Sequence, residues 1–304
     1  MVVSVVYGGS KEERGASEKN AKDIAQALKN RGYTAILIPY GEDILQTLRE
    51  CETDVVYVCV QGKGYGDGSL QAILEQAKIP FTGSDMRAAC LINDKILCKM
   101  VFEHYGISTA KWDILTRHRY EAGDYNYEAF GFPFVAKAPT QGGSFGIELI
   151  HNKEELERIR KVFDFDNPIF LERFVSGGFY TVGLYESHGK LVVLPVVEGL
   201  DLRKFNDDKN EMIKFTGEYG IGECKLPPAL TDEMSDLAKK VFQVTGAKGV
   251  ARVDFMVEES TMRPYVLEIN AVPGLKRASL MPREAAMAGI DYEDMIEDIL
   301  KAAL

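Results

Sequence analysis

The stretch Ala251–Leu280, ARVDFMVEESTMRPYVLEINAVPGLKRASL, contains two alternating runs separated by a polar segment. Ala251–Val257 and Tyr265–Ile269 both follow the two-residue period of a β-strand, and the polar segment Glu258–Arg263 between them is typical of a turn. We therefore predict an antiparallel β-hairpin, around which the rest of the chain can be arranged.

Three oxygen-bearing side chains fall on one face of this predicted hairpin. Asp254 lies in the first strand, Glu268 ends the second, and Asn270 follows two residues later on the same face. Oxygen ligands, two of them anionic, suit a hard cation such as Mg²⁺, and Arg252 on this face could hold an anion beside it. The alternative is a surface hairpin with ordinary salt bridges. An asparagine between apolar neighbours, followed by a Pro-Gly turn, favours the metal site.

Composition excludes several classes of function. A chain of 304 residues with 46% hydrophobic content is long enough for two or three domains. Its net charge of -10 argues against nucleic acid or an anionic membrane as the main partner. No apolar run approaches the roughly 20 residues needed to cross a bilayer. The N-terminal MVVSVVYGG predicts a first strand and not a signal peptide.

The cysteines and histidines indicate neither disulfides nor zinc. The five cysteines are scattered and lack CxxC spacing, which predicts reduced thiols. The four histidines show no paired spacing, so a zinc site is not expected. A cytoplasmic location follows as the expectation.

The N-terminal part alternates between strands and helices. Val2–Tyr7, Tyr33–Pro39 and Asp54–Val60 are β-rich runs, with helical patterns from about Ser17 to Arg31 and over Ser69–Gln76. This alternation predicts a parallel sheet with ligands near the carboxyl ends of its strands.

A glycine-rich loop lies between two further predicted strands, Phe132–Ala138 and Ile147–Ile150. The loop is QGGSFG, residues Gln141–Gly146. Backbone N–H groups of such a loop can cradle phosphate oxygens, and Lys137 just before it adds positive charge. A plain turn is the alternative, since a glycine-rich hairpin alone is a weak signal.

The runs RVDF, YVLEINAVPG and SL of Ala251–Leu280 closely resemble the C-terminal signature of the D-alanine–D-alanine ligases, members of the ATP-grasp superfamily. The resemblance covers essentially the whole chain. It implies an ATP-grasp fold combining α/β and α+β parts in three domains. These are an N-terminal α/β domain with a parallel sheet (1–87), a central ATP-grasp cap (88–183) and a C-terminal domain with the metal ligands and a mobile loop (184–304).

The same resemblance implies an ATP-dependent ligase that forms a C–N bond between two small amino acids. The product is a dipeptide made through an acyl phosphate for cell-wall synthesis, with ADP and phosphate released. ATP and Mg²⁺ are the implied cofactors, with two metal ions expected and Mn²⁺ as the alternative metal. We expect a homodimer with no nucleic-acid or membrane partner.

Individual residues follow from matching the family motifs. Those matched to the metal are Asp254, Glu268 and Asn270. Those matched to ATP are Lys95, Lys137, Gly142, Gly143, Ser144, Glu172, Arg173, Phe174, Val175 and Lys214. Those expected to bind the amino acids are Glu13, Ser17, Gln61, Arg252, Gly274 and Ser279. Catalysis is expected from Glu13, Ser144, Lys214, Arg252 and Gly274, of which Arg252 and the Gly274 N–H would stabilise the oxyanion.

The segment Glu198–Lys225 is too long and polar for a bare connector. In the family a mobile loop here presents a Lys-Tyr pair to the active site. Lys214-Phe215 is the match, with Lys204-Phe205 as a second candidate, so the tyrosine hydroxyl is lost in either case.

Other motif positions also depart from the family pattern. The chain has Gln61, Gly66, Gly143 and Phe179 where the family has histidine, glutamate, serine and an acid that binds ribose. Three hypotheses remain: a D-alanine–D-alanine ligase, a ligase using a different amino or hydroxy acid, and a nucleotide-binding relative without catalysis. Two converging carboxylates would repel each other without a cation, which argues against the third.

The Pro-Gly turn is followed by two cations, Lys276 and Arg277, where the family has uncharged residues. Beside Ser279, which should bind a carboxylate, these cations would favour a more anionic second substrate than alanine. The alternative is that both side chains point to solvent or pair with acids.

Overall fold

A computed structural model describes residues 1–9, 13–143, 145–200, 205–206, 211–212, 220–222 and 224–304. Among the predicted positions, Ser144, Lys204, Lys214 and Phe215 lie outside the described residues, as does most of the proposed mobile segment. None of the helices within the described ranges is long and apolar enough to cross a membrane.

The N-terminal part has a three-stranded parallel sheet. In chain order its elements are β1 (Val2–Tyr7), α1 (Arg14–Asn30), β2 (Thr34–Pro39), α2 (Ile44–Glu50), β3 (Val55–Val58) and α3 (Ser69–Ala77). The strand order is β2-β1-β3, so β1 is central. The predicted strands, helices and parallel pairing are confirmed, although α1 begins at Arg14 and not at Ser17.

The described residues between 86 and 173 form five α-helices, a 3₁₀ turn and a four-stranded antiparallel sheet. Its elements are α4 (Met86–Asn93), α5 (Lys95–His104), β4 (Trp112–Leu115), α6 (Arg117–Ala122), α7 (Tyr127–Phe130), β5 (Phe134–Lys137), β6 (Ile147–Ile150), a 3₁₀ turn (Lys153–Arg158), α8 (Ile159–Val162) and β7 (Ile169–Arg173). The sheet has the order β4-β7-β5-β6. The glycine-rich loop therefore joins the paired strands β5 and β6, as predicted.

The C-terminal part contains a six-stranded sheet. Its elements are β8 (Gly177–Ser187), β9 (Lys190–Val193), β10 (Val197–Leu200), β11 (Phe205–Asn206), β12 (Glu211–Met212), β13 (Gly220–Gly222), α9 (Pro228–Val244), β14 (Val250–Glu258), β15 (Pro264–Asn270), α10 (Leu280–Met287) and α11 (Tyr292–Lys301). The path is β13-β10-β8-β14-β15, with β9 also paired to β8, while β11 and β12 pair with each other. The predicted boundary between 183 and 184 falls inside β8, and the domain limits remain predictions.

The predicted hairpin is confirmed in its register. Asp254 of β14 lies opposite Glu268 of β15, and Arg252 lies opposite Asn270. The pairing shifts by one residue immediately after Asp254. These four residues therefore lie in one regularly paired part of the hairpin, which ends at the register shift after Asp254.

A break separates β9 from β10. Val192–Val197 is not a continuous strand, because β9 ends at Val193 and β10 begins at Val197. Pro195 lies between them and has no N–H group to donate to a sheet ladder, which accounts for the interruption.

Helix α11 connects the two ends of the chain. Its residues Met295, Ile296 and Ile299 are fully buried in the same apolar cluster as Val3 and Val5 of β1, and α11 packs on α1. This packing fixes the N-terminal sheet against the C-terminal part of the chain. The loops of the two parts are thereby brought close to each other.

Candidate active site

A cavity of about 480 Å³ lies where the N-terminal loops, the glycine-rich loop and the β14–β15 hairpin meet. Its charged and polar lining residues are Glu13, Lys19, Asn20, Gln61, Asn93, Lys95, Gln141, Arg252, Glu268, Asn270, Lys276 and Ser279. Gly142, Gly143 and Gly274 also line it. Residues predicted from widely separated motifs are thus brought together.

Asp254 is buried and is held in place by three side chains, two of which line the cavity. Arg252 donates to both of its carboxylate oxygens, at 2.8 Å from Nε and 2.7 Å from Nη2. Thr181 of β8 donates at 2.8 Å, and Asn270 donates through Nδ2 at 3.1 Å. Asp254 is buried, so these charge-assisted bonds compensate its desolvation and fix its orientation.

Glu268 lies opposite Asp254 but faces the cavity. Its Oε2 is 3.3 Å from Nζ of Lys95, the first residue of α5. The same ammonium donates to the carbonyl oxygen of Gln141 at 2.8 Å. Lys95 therefore joins the hairpin to the start of the glycine-rich loop.

These oxygen donors fit a hard divalent cation. Asp254 and Glu268 provide carboxylates on neighbouring strands, and Asn270 keeps its amide oxygen because it donates through nitrogen. Within the described ranges no group of three or more His, Cys, Asp and Glu side chains could hold a metal ion. A cation here would thus need waters or phosphate oxygens to complete its shell, as Mg²⁺ usually does.

Glu13 reaches the cavity between two glycine loops. A Cβ built on Gly62 would lie 1.9 Å from Oε2 of Glu13, and one on Gly142 would lie 2.5 Å from Oε1. Any larger residue at these positions would displace the carboxylate. Because both positions are glycine, the Glu13 carboxylate can lie close to the glycine-rich loop.

Gln61 and Ser17, both predicted to bind substrate, differ in their position relative to the cavity. Gln61 lines the cavity, and its Nε2 donates to the carbonyl of Val272 at 3.2 Å, linking the β3–α3 loop to the segment after β15. Ser17 is fully buried, and its hydroxyl donates to the Cys59 carbonyl and accepts from the Gly8 N–H. Ser17 therefore fixes the first loop within the fold, and its predicted contact with substrate stays a prediction.

The turn after β15 supplies the far wall. Ser279 precedes α10 and lines the cavity, and a Cβ on Gly274 would lie 2.9 Å from its Oγ. Ser279 Oγ and the backbone N–H of Gly274 are hydrogen-bonded to no residue that the structure describes. Both are thus donors available to a ligand.

The two cations after the Pro-Gly turn have different surroundings. Lys276 is half-buried and lines the cavity. Arg277 is exposed, forms an ion pair with Glu293, and lies over the ring of Tyr292 at 4.2 Å. For Arg277 the structure therefore supports the second alternative, an ion pair with an acid at the surface.

A buried charged cluster lies behind the cavity, in the central sheet. Glu172 at the end of β7 forms ion pairs with both Lys99 and Lys137, and all three side chains are buried. Burial alone would raise the pKa of Glu172, but the two ammonium groups outweigh it and hold that pKa at about 2. Two ammonium groups thus contact the single carboxylate of Glu172 in this interior.

The residues after Glu172 lead out of β7, and their assignment to the nucleotide stays a prediction. Arg173 pairs with Glu258 at 2.7 Å, and the Phe174 N–H donates to the Pro133 carbonyl. Val175 and Phe179 are buried in an apolar cluster with residues of β14 and β15. Phe179, where the family acid would stand, is thus a core aromatic.

Sequence reasoning gave no role to several residues that organise the site. Thr181 lies opposite Asp254 on β8 and is visible only once β8 pairs with β14. Asp166 accepts from the N–H and hydroxyl of Thr140 and pairs with Lys63. It therefore anchors the base of the glycine-rich loop.

Glu284 of α10 is the most unusual acid among the described residues. It is fully buried, and its Oε2 accepts from the Gly183 N–H at 2.6 Å. Burial raises its pKa to about 8, although the Gly183 N–H and the charge of Arg252 act in the opposite direction. No sequence signal indicated this residue.

Comparison with known proteins agrees with this geometry. A family model described as the D-ala D-ala ligase C-terminus matches residues 101–301. The D-alanine–D-alanine ligase of Carboxydothermus hydrogenoformans is 33% identical over 317 residues, covering 100% of this chain and 98% of that protein. The corresponding ligase of Moorella thermoacetica is 33% identical over 314 residues, covering 100% and 99%.

Solved structures show the same architecture. A D-alanine–D-alanine ligase from Bacillus anthracis, complexed with ATP, superimposes with a TM-score of 0.83 at 26% identity, covering 100% of this chain and 96% of that one. The VanG D-Ala:D-Ser ligase of Enterococcus faecalis superimposes with a TM-score of 0.84 at 22% identity, covering 100% of this chain and 99% of that one. At this identity the likeness supports the fold alone. The ATP-grasp fold predicted from the sequence is confirmed.

Proposed function

The chain belongs to the D-alanine–D-alanine ligase family, and we propose that it joins D-alanine to a second small amino acid at the expense of ATP. The observation that carries the proposal is one cavity lined by Glu13, Lys95, Glu268, Asn270 and the glycine-rich loop. An acid for an amino group, cations for phosphates and oxygen ligands for a metal are the parts that such a ligation requires.

The reaction needs an activated carboxylate, because the leaving group of a free carboxylate would be oxide. The γ-phosphoryl group of ATP is transferred to a carboxylate oxygen of the first amino acid, and ADP leaves. The amine of the second amino acid then attacks the carbonyl carbon, phosphate leaves, and the amine loses a proton. The product is a dipeptide.

The first step calls for positive charge around the transferring phosphoryl group. The ammonium group of Lys95 and the guanidinium group of Arg252 supply this charge in the proposal. Each cation is oriented by a carboxylate of the β14–β15 hairpin. Lys137, at the end of β5, adds charge from the buried cluster. Backbone N–H groups of Gly142 and Gly143 complete the phosphate site in this proposal.

We propose that Asp254, Glu268 and Asn270 hold Mg²⁺, as two ions, with Mn²⁺ able to substitute. When bound, the metal neutralises negative charge on the phosphates and orients them. Thr181 and Arg252 keep the Asp254 carboxylate in one orientation for this task.

The two amino acids are assigned to opposite ends of the cavity. Glu13 binds the amino group of the first, at the junction of the two glycine loops. The available Gly274 N–H, with Arg252, stabilises the oxyanion of the tetrahedral intermediate. Ser279 donates to the α-carboxylate of the second. Ser144 and Lys214, which the structure does not describe, stay in the proposal as sequence predictions.

The nucleoside is assigned to the hinge that follows β7. Glu172, Arg173, Phe174 and Val175 run between the central sheet and the apolar cluster that contains Phe179. Adenine would bind backbone groups there, while the buried lysines face its phosphates. The side chain of Phe179 has no group that can hydrogen-bond the ribose hydroxyls.

We further propose that the enzyme acts in the cytoplasm as a homodimer and supplies a cell-wall peptide precursor. All five cysteines lie within the described residues as free thiols, which supports a reducing compartment. Met86, Leu97 and Met100 on α4 and α5 are exposed apolar side chains that support a subunit contact. The net charge of -10 supports the absence of a nucleic-acid partner.

A panel of phosphate-release assays tests the function. We expect release only when protein, ATP, Mg²⁺ and a D-amino acid pair that includes D-alanine are mixed, together with a dipeptide detected by mass spectrometry. L-alanine pairs and reactions with a metal chelator serve as controls. Nucleotide binding without phosphate release for any amino or hydroxy acid pair would favour a non-catalytic relative instead.

A further inference from the structure

We propose that Asp166 is a positioning residue that couples the phosphate site to the site of the first amino acid. Through Thr140 it holds the base of the glycine-rich loop, and through Lys63 it holds the β3–α3 loop. ATP and the first amino acid should therefore bind cooperatively. The inference rests on the proposed function and names the residue that links two parts of that site.

The Asp166 carboxylate uses one oxygen for each of the two loops. Its Oδ2 accepts from the Thr140 N–H at 3.0 Å and from the Thr140 hydroxyl at 2.7 Å. Its Oδ1 accepts from Nζ of Lys63 at 3.2 Å. The Asp166 side chain is only 6% exposed, so solvent screens these charge-assisted bonds less than those of a surface acid. Asp166 thus sets the separation between two loops that are distant in sequence.

The residue before Asp166 supports the other end of the glycine-rich loop. A Cβ built on Gly146 would lie 3.2 Å from the ring of Phe165. Phe165 and Asp166 both belong to the segment that joins α8 to β7. Thr140 at one end of the loop and Gly146 at the other therefore rest on the same segment, and a displacement of that segment would act on the whole loop.

The carboxylate of Glu13 lies between the same two loops. A Cβ on either Gly62 of the β3–α3 loop or Gly142 of the glycine-rich loop would collide with it. Each of these glycines is within two residues of the side chain by which its loop reaches Asp166. The two loops therefore meet at Glu13 on one side and at Asp166 on the other, and these contacts form a closed ring.

This ring connects two sites that are separate in the proposed reaction. The glycine-rich loop is assigned to the phosphates of ATP, and Glu13 is assigned to the amino group of the first amino acid. A ligand that fixes one loop also fixes the other through Asp166. The next ligand then meets a site whose geometry is already set, which is positive coupling between the two.

The experiment measures the Kd of a non-hydrolysable ATP analogue with Mg²⁺ by isothermal titration calorimetry, with and without saturating D-alanine. The ratio of the two Kd values is the coupling factor. We expect the unaltered protein to bind the analogue about 5-fold or more tightly when D-alanine is present. Dipeptide formation from ATP and D-alanine is assayed in parallel.

Two substitutions separate the arms of Asp166. Lys63→Met removes the charge that reaches the carboxylate, so the coupling factor should fall below about 2-fold while the Kd of the analogue alone changes little. Asp166→Asn weakens both arms, so the coupling should be lost and the analogue alone should bind about 10-fold more weakly. The double variant should couple the ligands no less than Asp166→Asn does, because both changes act on one contact.

The chain offers a matched control for each substitution. The Lys153 side chain is 62% exposed, as against 61% for Lys63, and it pairs with the exposed Glu128. Asp164 lies two residues before Asp166, but its side chain is 73% exposed. Lys153→Met and Asp164→Asn should both leave the coupling factor unchanged. Thermal unfolding of all variants establishes that they fold alike.

Several results would overturn the inference. An unaltered protein that binds the two ligands independently would do so, as would full coupling in Lys63→Met. Independent, additive losses from the two substitutions would show that Asp166 supports the loops without linking them. Absence of dipeptide from every amino-acid pair, with the nucleotide analogue still bound, would instead refute the proposed function, and the inference would fail with it.

Discussion

Glu268 and Glu172 are both glutamates beside lysines, yet their surroundings differ in one decisive respect. The Glu268 side chain is 22% exposed at the cavity edge of the C-terminal sheet, 3.3 Å from Lys95. The Glu172 side chain is 3% exposed in the central sheet, where Lys99 and Lys137 both pair with it. A buried charge depends on its partners for stability, whereas a cavity-facing charge remains available to a ligand.

The comparison teaches that an ion pair alone does not identify a site. Glu172 has the stronger local charges, but its partners satisfy it inside the fold. Glu268 pairs at the cavity edge with Lys95, whose ammonium also reaches the glycine-rich loop, so this pair can rearrange when ligands enter. We therefore expect loss of Glu172 to act mainly on stability and loss of Glu268 mainly on turnover.

The largest effect is expected for Glu172→Gln. The variant leaves two buried ammonium groups without their anion, so the free energy of unfolding should fall by about 3–5 kcal/mol in denaturant titrations at neutral pH. Because the folded pKa of Glu172, about 2, lies below the ordinary 4.5, its stabilisation is present above about pH 4.5. This stabilisation is lost as the pH falls toward 2. The difference in unfolding free energy between the unaltered protein and Glu172→Gln should therefore narrow there.

Glu128→Gln is the control for that comparison. Glu128 pairs with Lys153 at 2.9 Å, but both side chains are about 60% exposed. Solvent screens such a pair, and little change in unfolding is expected. Equal effects of the two substitutions would show that the buried cluster has no special part in stability.

Glu268→Gln should have the next largest effect. It removes an anionic metal ligand without changing volume, so ATP turnover should fall by about 100-fold or more while the unfolding free energy changes little. Glu259→Gln, at an exposed acid of the connecting turn, is the matched control. Turnover at the parent rate in the Glu268 variant would remove the metal from this hairpin.

An effect that develops gradually with pH, and is small within any one pH unit, is expected for Glu284→Gln. The folded pKa of Glu284, about 8, lies above the ordinary 4.5, so the native state binds an extra proton between these values. Stability should therefore decrease as the pH rises through this window, by roughly 1.4 kcal/mol per pH unit. The glutamine variant still accepts from the Gly183 N–H, and it should lack this decrease. Parallel pH profiles of the two proteins would contradict the assignment.

The sequence was sufficient where local pattern and chemistry coincide. Alternation over Ala251–Val257 and Tyr265–Ile269 predicted the hairpin, and its register placed Asp254 opposite Glu268 as the structure has it. The glycine-rich loop between β5 and β6 was likewise visible from composition and flanking strands. In both cases the relevant neighbours lie within about twenty residues of each other.

The sequence did not predict the contacts of residues whose neighbours come from distant segments of the chain. Ser17 matched a substrate motif, but its hydroxyl is taken up by Gly8 and Cys59 once the first loop folds. Thr181 and Glu284 approach the hairpin only through the pairing of β8 and the packing of α10. Lys276 and Arg277 are adjacent in the chain, and only the fold separates a cavity residue from a surface ion pair.

The central claim is that this site activates a carboxylate by transferring a phosphoryl group to it. The most direct measurement uses D-alanine labelled with ¹⁸O in its carboxylate as the first substrate and determines the label in released phosphate by mass spectrometry. An acyl phosphate predicts one ¹⁸O atom in phosphate for each dipeptide formed, because the bridging oxygen leaves with phosphorus. Dipeptide formation with unlabelled phosphate would contradict the account.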